Sequence, residues 1–547
     1  MPRSCRAYDG PVFDAALPVR QLLREGPGEP AAPPVASLGV RARLRGTVAT
    51  DRFWGWLGPL LVAAVGGFLR FWRLDRPHEL IFDETYYVKQ GYSFLKVGYE
   101  LAWRQDVKPD ELFTKGNLNV FQSGPDFVVH PPVGKWMIAA GEWLFGPTSS
   151  WGWRFSAAVV GTLSLLMIGR IGRRLFGSTL LGTTAALLLA VDGQHFVHSR
   201  TGILDIFVMF WALAGFGCLV VDRDHARNRL ARQVERGATL TGMGPWLGVR
   251  PWRLAGAVCL GLCVGVKWSG AFFLAAFLLM SFLWDVAARR GAGVHRWLLG
   301  GLLKDGLPAA ALTLPLALAS YLASWVGWFH SKGAWDRQWG AQHPSSTWGW
   351  VPDSLRGLWH YHAEMWTFNV NLHSPHTYQS NPWSWIVIGR PTAFYYQGSK
   401  NGEYGCTLAA CSRAITPIGN PVVWWGGTIA IAVLLVCWFL GRDWRAGAIL
   451  AGLAAGWLPW FHYQDRTIYT FYAVAFVPWV VLALTYCLGR LLGPRGAPPD
   501  RRLYGAIAAG AVVTLAVVIF AWFHPIYVAE LIPQTSWADR MWLPSWV

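Results

Sequence analysis

A chain of 547 residues that is 53% hydrophobic and only 14% charged falls well below the roughly 25% charged residues of ordinary soluble domains. As a soluble protein it would need one unusually large core, and domains rarely grow that way; its many nearly chargeless windows of about 20 residues instead suit bilayer crossing. The formal charge of +17, which on a soluble chain would suggest nucleic acid, sits mostly in short loops between apolar runs and reads as topology information.

Residues 1–50 of a tail at 1–52 lack the apolar core of a cleavable signal peptide. Their Pro/Ala/Gly-rich and then basic stretch, "GPGEPAAPPVASLGVRARLRG", predicts a disordered cytoplasmic tail. Eleven membrane spans follow, at about 54–72, 153–172, 179–194, 203–221, 253–266, 269–287, 305–328, 422–440, 445–461, 467–489 and 504–523. Residues 253–287 could form one tilted helix, but Lys267 and Gly270 in "GVKWSGAF" favour a turn. With the N-terminus inside, every inside segment is basic: "GRIGRRLFG", the loop 222–253 with its seven arginines, "AARRGAGVHRW", "GRDWRAG" and "GRLLGPRGAPPDRR". The positive-inside rule is then met throughout, and the C-terminal tail, 524–547, lies outside.

The chain thus reads as an all-α polytopic membrane protein. A first transmembrane module, 53–328, carries an extracytoplasmic loop at 73–152. A large extracytoplasmic loop follows at 329–421, then the C-terminal transmembrane helices, 422–523. Both long loops are rich in Trp and Tyr, which favour the membrane interface, and are expected to lie on the membrane and roof a cavity. The first contains amphipathic stretches at 84–97 and 133–145; Tyr87, Phe94 and Leu95 are expected to dip toward lipid.

Polar outliers gather on this outer face. In "LIFDETYYVKQ", Asp83 either caps the helix that follows, with Glu84 favoured by the helix dipole, or the pair does chemistry, since uncompensated charge at a membrane face is costly. "VVHPPVGKWMI" brings His130 and Lys135. Arg154, at the outer end of the second span, runs against the positive-inside trend and calls for a partner or an anionic ligand. "DGQHFVHSRTGILDIF" offers Asp192, His195, His198, Arg200 and Asp205; the two histidines at i,i+3 have metal-like spacing but no matched carboxylate set. Lys267 follows, then His373, His376, Tyr378, Trp383, Trp385 and Arg390 in the large loop, then Asp465 and Arg466. Cations, paired acids and aromatic platforms on one face suit an anionic lipid headgroup held while a hydroxyl adds to it: cations stabilise a phosphate leaving group, and a carboxylate takes the proton.

At these residues the chain resembles the protein O-mannosyltransferases, in the bacterial, actinobacterial-type branch of the GT-C membrane glycosyltransferases. "FDETYY", "HPPVGK", "SRTGILD", "GVKWSG" and "SNPWSW…GRP…YY" stand in family order, and the resemblance covers nearly everything after about residue 50. It implies a bacterial plasma-membrane enzyme with an extracytoplasmic active site. This enzyme would transfer mannose from polyprenyl-phosphate mannose to Ser or Thr hydroxyls of exported proteins, inverting the anomeric centre. By the family pattern Asp83 is the general base and Glu84 positions acceptor or base. Arg154 is assigned to the lipid phosphate, Arg200, Lys267, Arg390, Lys135 and His130 to donor phosphate or sugar, and Asp205 to a second acidic motif; Trp383 and Tyr395 belong to the acceptor loop. No cofactor is expected, and no metal, because arginines can stabilise a lipid monophosphate leaving group. The β-trefoil MIR insertion of eukaryotic members is missing, so acceptor choice would rest on the loop itself or on nearby secretion machinery.

Two other functions are set against this one. Another GT-C enzyme could use the same donor type on a glycan or lipid, as arabinose and aminoarabinose transferases do; the "NPWSW…GRP" loop with "GVKWSG" favours the protein mannosyltransferase. A transporter of lipid-linked sugars would hide charges near the midplane and show repeats. Of the eight cysteines, Cys5 lies in the tail and Cys218, Cys259, Cys263, Cys437 and Cys487 sit in apolar runs as small core residues. Cys406 and Cys411 form a disulfide if their loop faces an oxidising space.

Overall fold

The structure, a computed structural model, describes residues 39–44, 49–494 and 496–547. The tail expected over 1–52, with Cys5, lies largely outside the described residues. Every expected span meets a helix. Among the described residues eight helices are long and apolar enough to cross a membrane: Arg52–Phe71, Ser150–Phe176, Asp205–Glu235, Gly270–Ala292, Trp297–Ala323, Pro421–Phe439, Thr470–Leu492 and Pro499–Tyr527. Thr179–Ala190, Pro251–Val266 and Trp444–Trp457 occupy the other three positions but are too short to span alone.

One helix runs well beyond its expected end. Apolar residues stop near Val221, yet Asp205–Glu235 continues for 31 residues. Arg, Leu, Ala and Gln are good helix formers whether or not lipid surrounds them, so hydropathy marks where the membrane ends and not where the helix does. The turn between Pro251–Val266 and Gly270–Ala292 falls at Lys267, as expected. Gly270 is required there, since a Cβ would lie 2.5 Å from the Cys263 carbonyl carbon.

The two long segments form a layer over one end of the bundle. Helices Glu84–Val97 and Val133–Phe145 coincide with the two amphipathic stretches. Their packing corrects one expectation: Tyr87 and Phe94 are buried against protein, and only Leu95 of the three is exposed. Among the described residues two small sheets accompany the helices. Strand β1 (Leu101–Trp103) pairs antiparallel with β2 (Phe121–Pro125). Strands β3 (Tyr395–Lys400), β4 (Ala410–Ile415) and β5 (Ile532–Pro533) form a three-stranded sheet in that order. The disulfide Cys406–Cys411 closes the β3–β4 hairpin. Runs this short, in Trp- and Tyr-rich loops, give too little alternation to separate strand from interfacial belt.

Helix Asp353–Val370 binds the two long segments together. The Tyr361 hydroxyl donates to the Val128 carbonyl and accepts from the Val128 amide, both at 3.1 Å. Around it Tyr321, Trp325, Trp328, Leu358 and Met365 make a separate aromatic core.

Candidate active site

Asp83 stands at the head of helix Glu84–Val97, but its side chain makes no capping hydrogen bond. The capping alternative therefore fails on geometry. Phe82, just before it, has φ +48°, a left-handed conformation that costs a bulky residue about 1–3 kcal/mol. Its ring lies flat on Phe394 at 4.4 Å and edge-on to Phe471 at 5.1 Å. That clamp holds the strained residue and fixes where Asp83 points.

The Asp83 carboxyl is pushed up to about 6, first by burial, then against the pull of Lys267 and with the push of Asp205. Those two residues form a pair: Lys267 Nζ donates to Asp205 Oδ2 at 2.7 Å, with the ammonium 5.2 Å from the centre of the Tyr472 ring. Asp205, Lys267, His130 and Tyr472 line a cavity of about 450 Å³, walled mostly by Trp268, Phe272, Phe273, Trp366, Trp460 and Tyr463. Arg466 opens onto the same cavity. Its Nε is buried without a hydrogen-bond partner, and its side chain enters no ion pair among the described residues. His130 is held well below its ordinary value by burial, then by Lys267, Lys135 and Arg466, so it faces the cavity as a neutral imidazole.

Glu84, next in sequence, has a different task. It is fully buried and takes a two-pronged bond from Arg154, Nε to Oε1 and Nη2 to Oε2, each at 2.8 Å. It also accepts from the backbone amides of Gly202 at 2.8 Å and Ile81 at 3.1 Å. The acidic pair thus splits into one carboxylate anchored in the fold and one that makes no capping bond and feels the charges of Lys267 and Asp205.

Residues 60–300 match the family model described as dolichyl-phosphate-mannose-protein mannosyltransferase. Residues 354–546 match that of the C-terminal four TMM region of protein-O-mannosyltransferase. Over 511 residues the chain is 39% identical to a polyprenol-phosphate-mannose–protein mannosyltransferase of Mycolicibacterium smegmatis, covering 91% of this chain and 94% of that one. This chain belongs to the protein O-mannosyltransferase family. The family's Mycobacterium tuberculosis member is 37% identical over 544 residues, covering 96% and 98%. The donor-bound Saccharomyces cerevisiae protein O-mannosyltransferase Pmt1-Pmt2 complex shares the fold, with TM-score 0.65 at 15% identity over 93% of this chain and 94% of that one.

Several cations expected at the donor are already used inside this family member. Arg154 spends its remaining donors on the carbonyls of Leu74, Pro77 and Glu79, at 3.2, 2.9 and 3.0 Å; with both Glu84 bonds its guanidinium is full, and no N–H is left for a phosphate. Arg200 donates to the carbonyls of Leu69, Arg70, Trp72 and Arg73, closing the end of the helix Arg52–Phe71. Lys135 is buried against Glu100 and the His130 carbonyl. Arg390 ties the Thr377 carbonyl to the carbonyls of Ser545 and Val547.

In the histidine pair, His195 contacts Arg70 through Nδ1 at 2.8 Å and Ser164 through Nε2 at 3.1 Å, so both its ring nitrogens are engaged. Asp192 accepts from the His195 and Asn420 amides and from Trp424. Trp383 is 68% exposed and lies edge-on to Phe461, and the Tyr395 hydroxyl donates to Glu79 at 3.1 Å; neither lines the cavity. Of the expected cations Lys267 lines the cavity, and so does Arg466, which was not assigned to the donor. Its signal was present in the sequence, a charged residue in the short loop "HYQDRTIYTFY" on the same face.

Proposed function

We propose that this chain transfers mannose from polyprenyl-phosphate mannose to Ser or Thr hydroxyls of exported proteins, with inversion, at the extracytoplasmic membrane face. Family membership supports the donor and the protein acceptor. The observation that carries the mechanism is the Asp83 carboxylate, electrostatically coupled to the Asp205–Lys267 pair, whose two members line a cavity shared with Arg466, a side chain in no ion pair among the described residues.

In this reading Arg466 and Lys267 hold the donor phosphate, and the aromatic wall borders the first isoprene units. Asp83 accepts the acceptor's hydroxyl proton as that oxygen bonds to the anomeric carbon. The bond from that carbon to the phosphate oxygen breaks on the opposite side, and the lipid monophosphate leaves with the electron pair, its charge met by the two cations. Asp205 keeps Lys267 oriented. Glu84 and Arg154 act as positioning residues, tying the Asp83 turn to residues 74–79 and to Gly202. No step requires a metal at Asp83.

The test is transfer from a polyprenyl-phosphate mannose donor to a Ser/Thr-rich peptide by purified protein. Asp83→Asn should cost about 10²–10⁴-fold in turnover, the usual worth of a general base, with donor binding retained. Wild-type protein that binds donor but never mannosylates peptide would favour a lipid-linked-sugar carrier. Near-normal transfer by Asp83→Asn would remove Asp83 as the base.

A further inference from the structure

Away from the cavity at Asp205 and Lys267, the large loop brings three ligating side chains to one point. His360 and Glu364 stand one turn apart on helix Asp353–Val370, so they leave the same face. Asp336, from the preceding loop, meets them: His360 Nδ1 lies 2.7 Å from Asp336 Oδ2, and one ligand atom from each of the three residues lies within 4.8 Å of the others. We propose that Asp336, His360 and Glu364 bind a divalent transition-metal ion, Zn²⁺ by preference, which pins the loop before this helix to the helix itself.

Spacing supports the assignment. Zinc bonds of about 2.0–2.2 Å to nitrogen and oxygen in tetrahedral geometry separate ligand atoms by roughly 3.4 Å. Small side-chain rotations would bring these three donors to that spacing. Charge supports it too. Two carboxylates surround an imidazole that carries at most one positive charge, whereas a divalent ion with neutral His360 balances both. The ligand set selects among ions: imidazole is foreign to the all-oxygen shells of Ca²⁺, and without a thiolate the site suits zinc over soft ions.

The surroundings already orient the ligands, as outer-shell partners do at metal sites. Trp335 Nε1 donates to Glu364 Oε2 at 3.0 Å. The His360 ring stacks on Trp339 at 4.1 Å, 12° from parallel. The side chains of His360 and Asp336 are 30% and 19% exposed, open enough for an ion and a water to enter. The same helix presents Trp366 and Asn369 to the cavity, so the ion would brace one cavity wall without touching the reacting atoms.

The experiment uses full-length protein in detergent, stripped of metal and titrated with Zn²⁺, and reads bound metal and thermal unfolding; Co²⁺ absorption reports the coordination sphere. One equivalent should bind at micromolar Zn²⁺ and raise the unfolding temperature. His360→Ala and Glu364→Gln should each weaken binding at least ten-fold and lose the thermal shift, while Asp83→Asn keeps both. Glu364→Gln, nearly unchanged in shape, decides the matter if His360→Ala does not fold. Folded wild-type protein that binds no more zinc than Glu364→Gln would leave an ion pair only and overturn the proposal, whatever the transfer assay gives.

Discussion

A carboxylic acid that must accept a proton has first to lose its own, and burial holds the Asp83 carboxyl up at about 6. Donor-saturated turnover should therefore fall about ten-fold per pH unit below 6 and level off above it. A pH profile with no acid limb between pH 5 and 7 would separate Asp83 from the rate. The sign of the shift has a second consequence. Because the folded value lies above the unfolded one, folding disfavours the ionised form at neutral pH, so Asp83→Asn should unfold at or above the wild-type temperature while losing turnover. Arg466 gives the complementary result. A charge-assisted hydrogen bond is worth about 1.5–3 kcal/mol, so Arg466→Gln should weaken donor binding roughly 10–100-fold, read from donor titrations of the purified protein. Its unfolding temperature should be unchanged, since the side chain supports no ion pair among the described residues. That freedom could not be read in the sequence. Arg154, Arg200, Arg390 and Arg466 all look like candidates for a phosphate, and what separates them is whether distant carbonyls use up their N–H groups.

At the scale of elements, the Asp83 turn is held by a buried ion pair whose partners stand 70 residues apart. Removing one member of such a pair typically costs about 3–5 kcal/mol, because the other charge stays buried alone. Arg154→Ala should accordingly lower the unfolding temperature steeply and reduce both donor binding and turnover, unlike Asp83→Asn, which should leave the fold intact. Full stability of Arg154→Ala would release that arginine for the donor phosphate after all. The same contrast explains what was legible at this level. The two amphipathic helices and the turn at Lys267 follow from periodicity and from a glycine at a close approach. The buried face of Glu84–Val97 did not, because Tyr87 and Phe94 look as ready for lipid as for protein until helix Val133–Phe145 covers them; Phe94 packs on Trp136 at 4.7 Å. Nor did the polar run from Asp192 onward, whose charges turn out to close helix ends and tie loops together.

For the whole molecule, positive charge and site placement have to agree on a side. Asp83, Lys267 and Arg466 belong to loops at one end of the bundle, and the arginine-rich segments gather at the other: Arg250 and Arg253 pair with Asp222 and Asp285, and Arg289 with Asp305. If basic segments stay in the cytoplasm, the cavity opens outside, where a lipid-linked donor and an exported hydroxyl can meet. Single-cysteine labelling in intact cells tests this without reference to activity. Thr239 and Ser346 are both exposed, one in the arginine-rich loop and one in the large loop. A membrane-impermeant thiol reagent should label Ser346→Cys in intact cells, and Thr239→Cys only after permeabilisation. The reverse pattern would place Asp83 in the cytosol, where no exported hydroxyl is presented, and the mechanism would fail even if every contact around the cavity were correct.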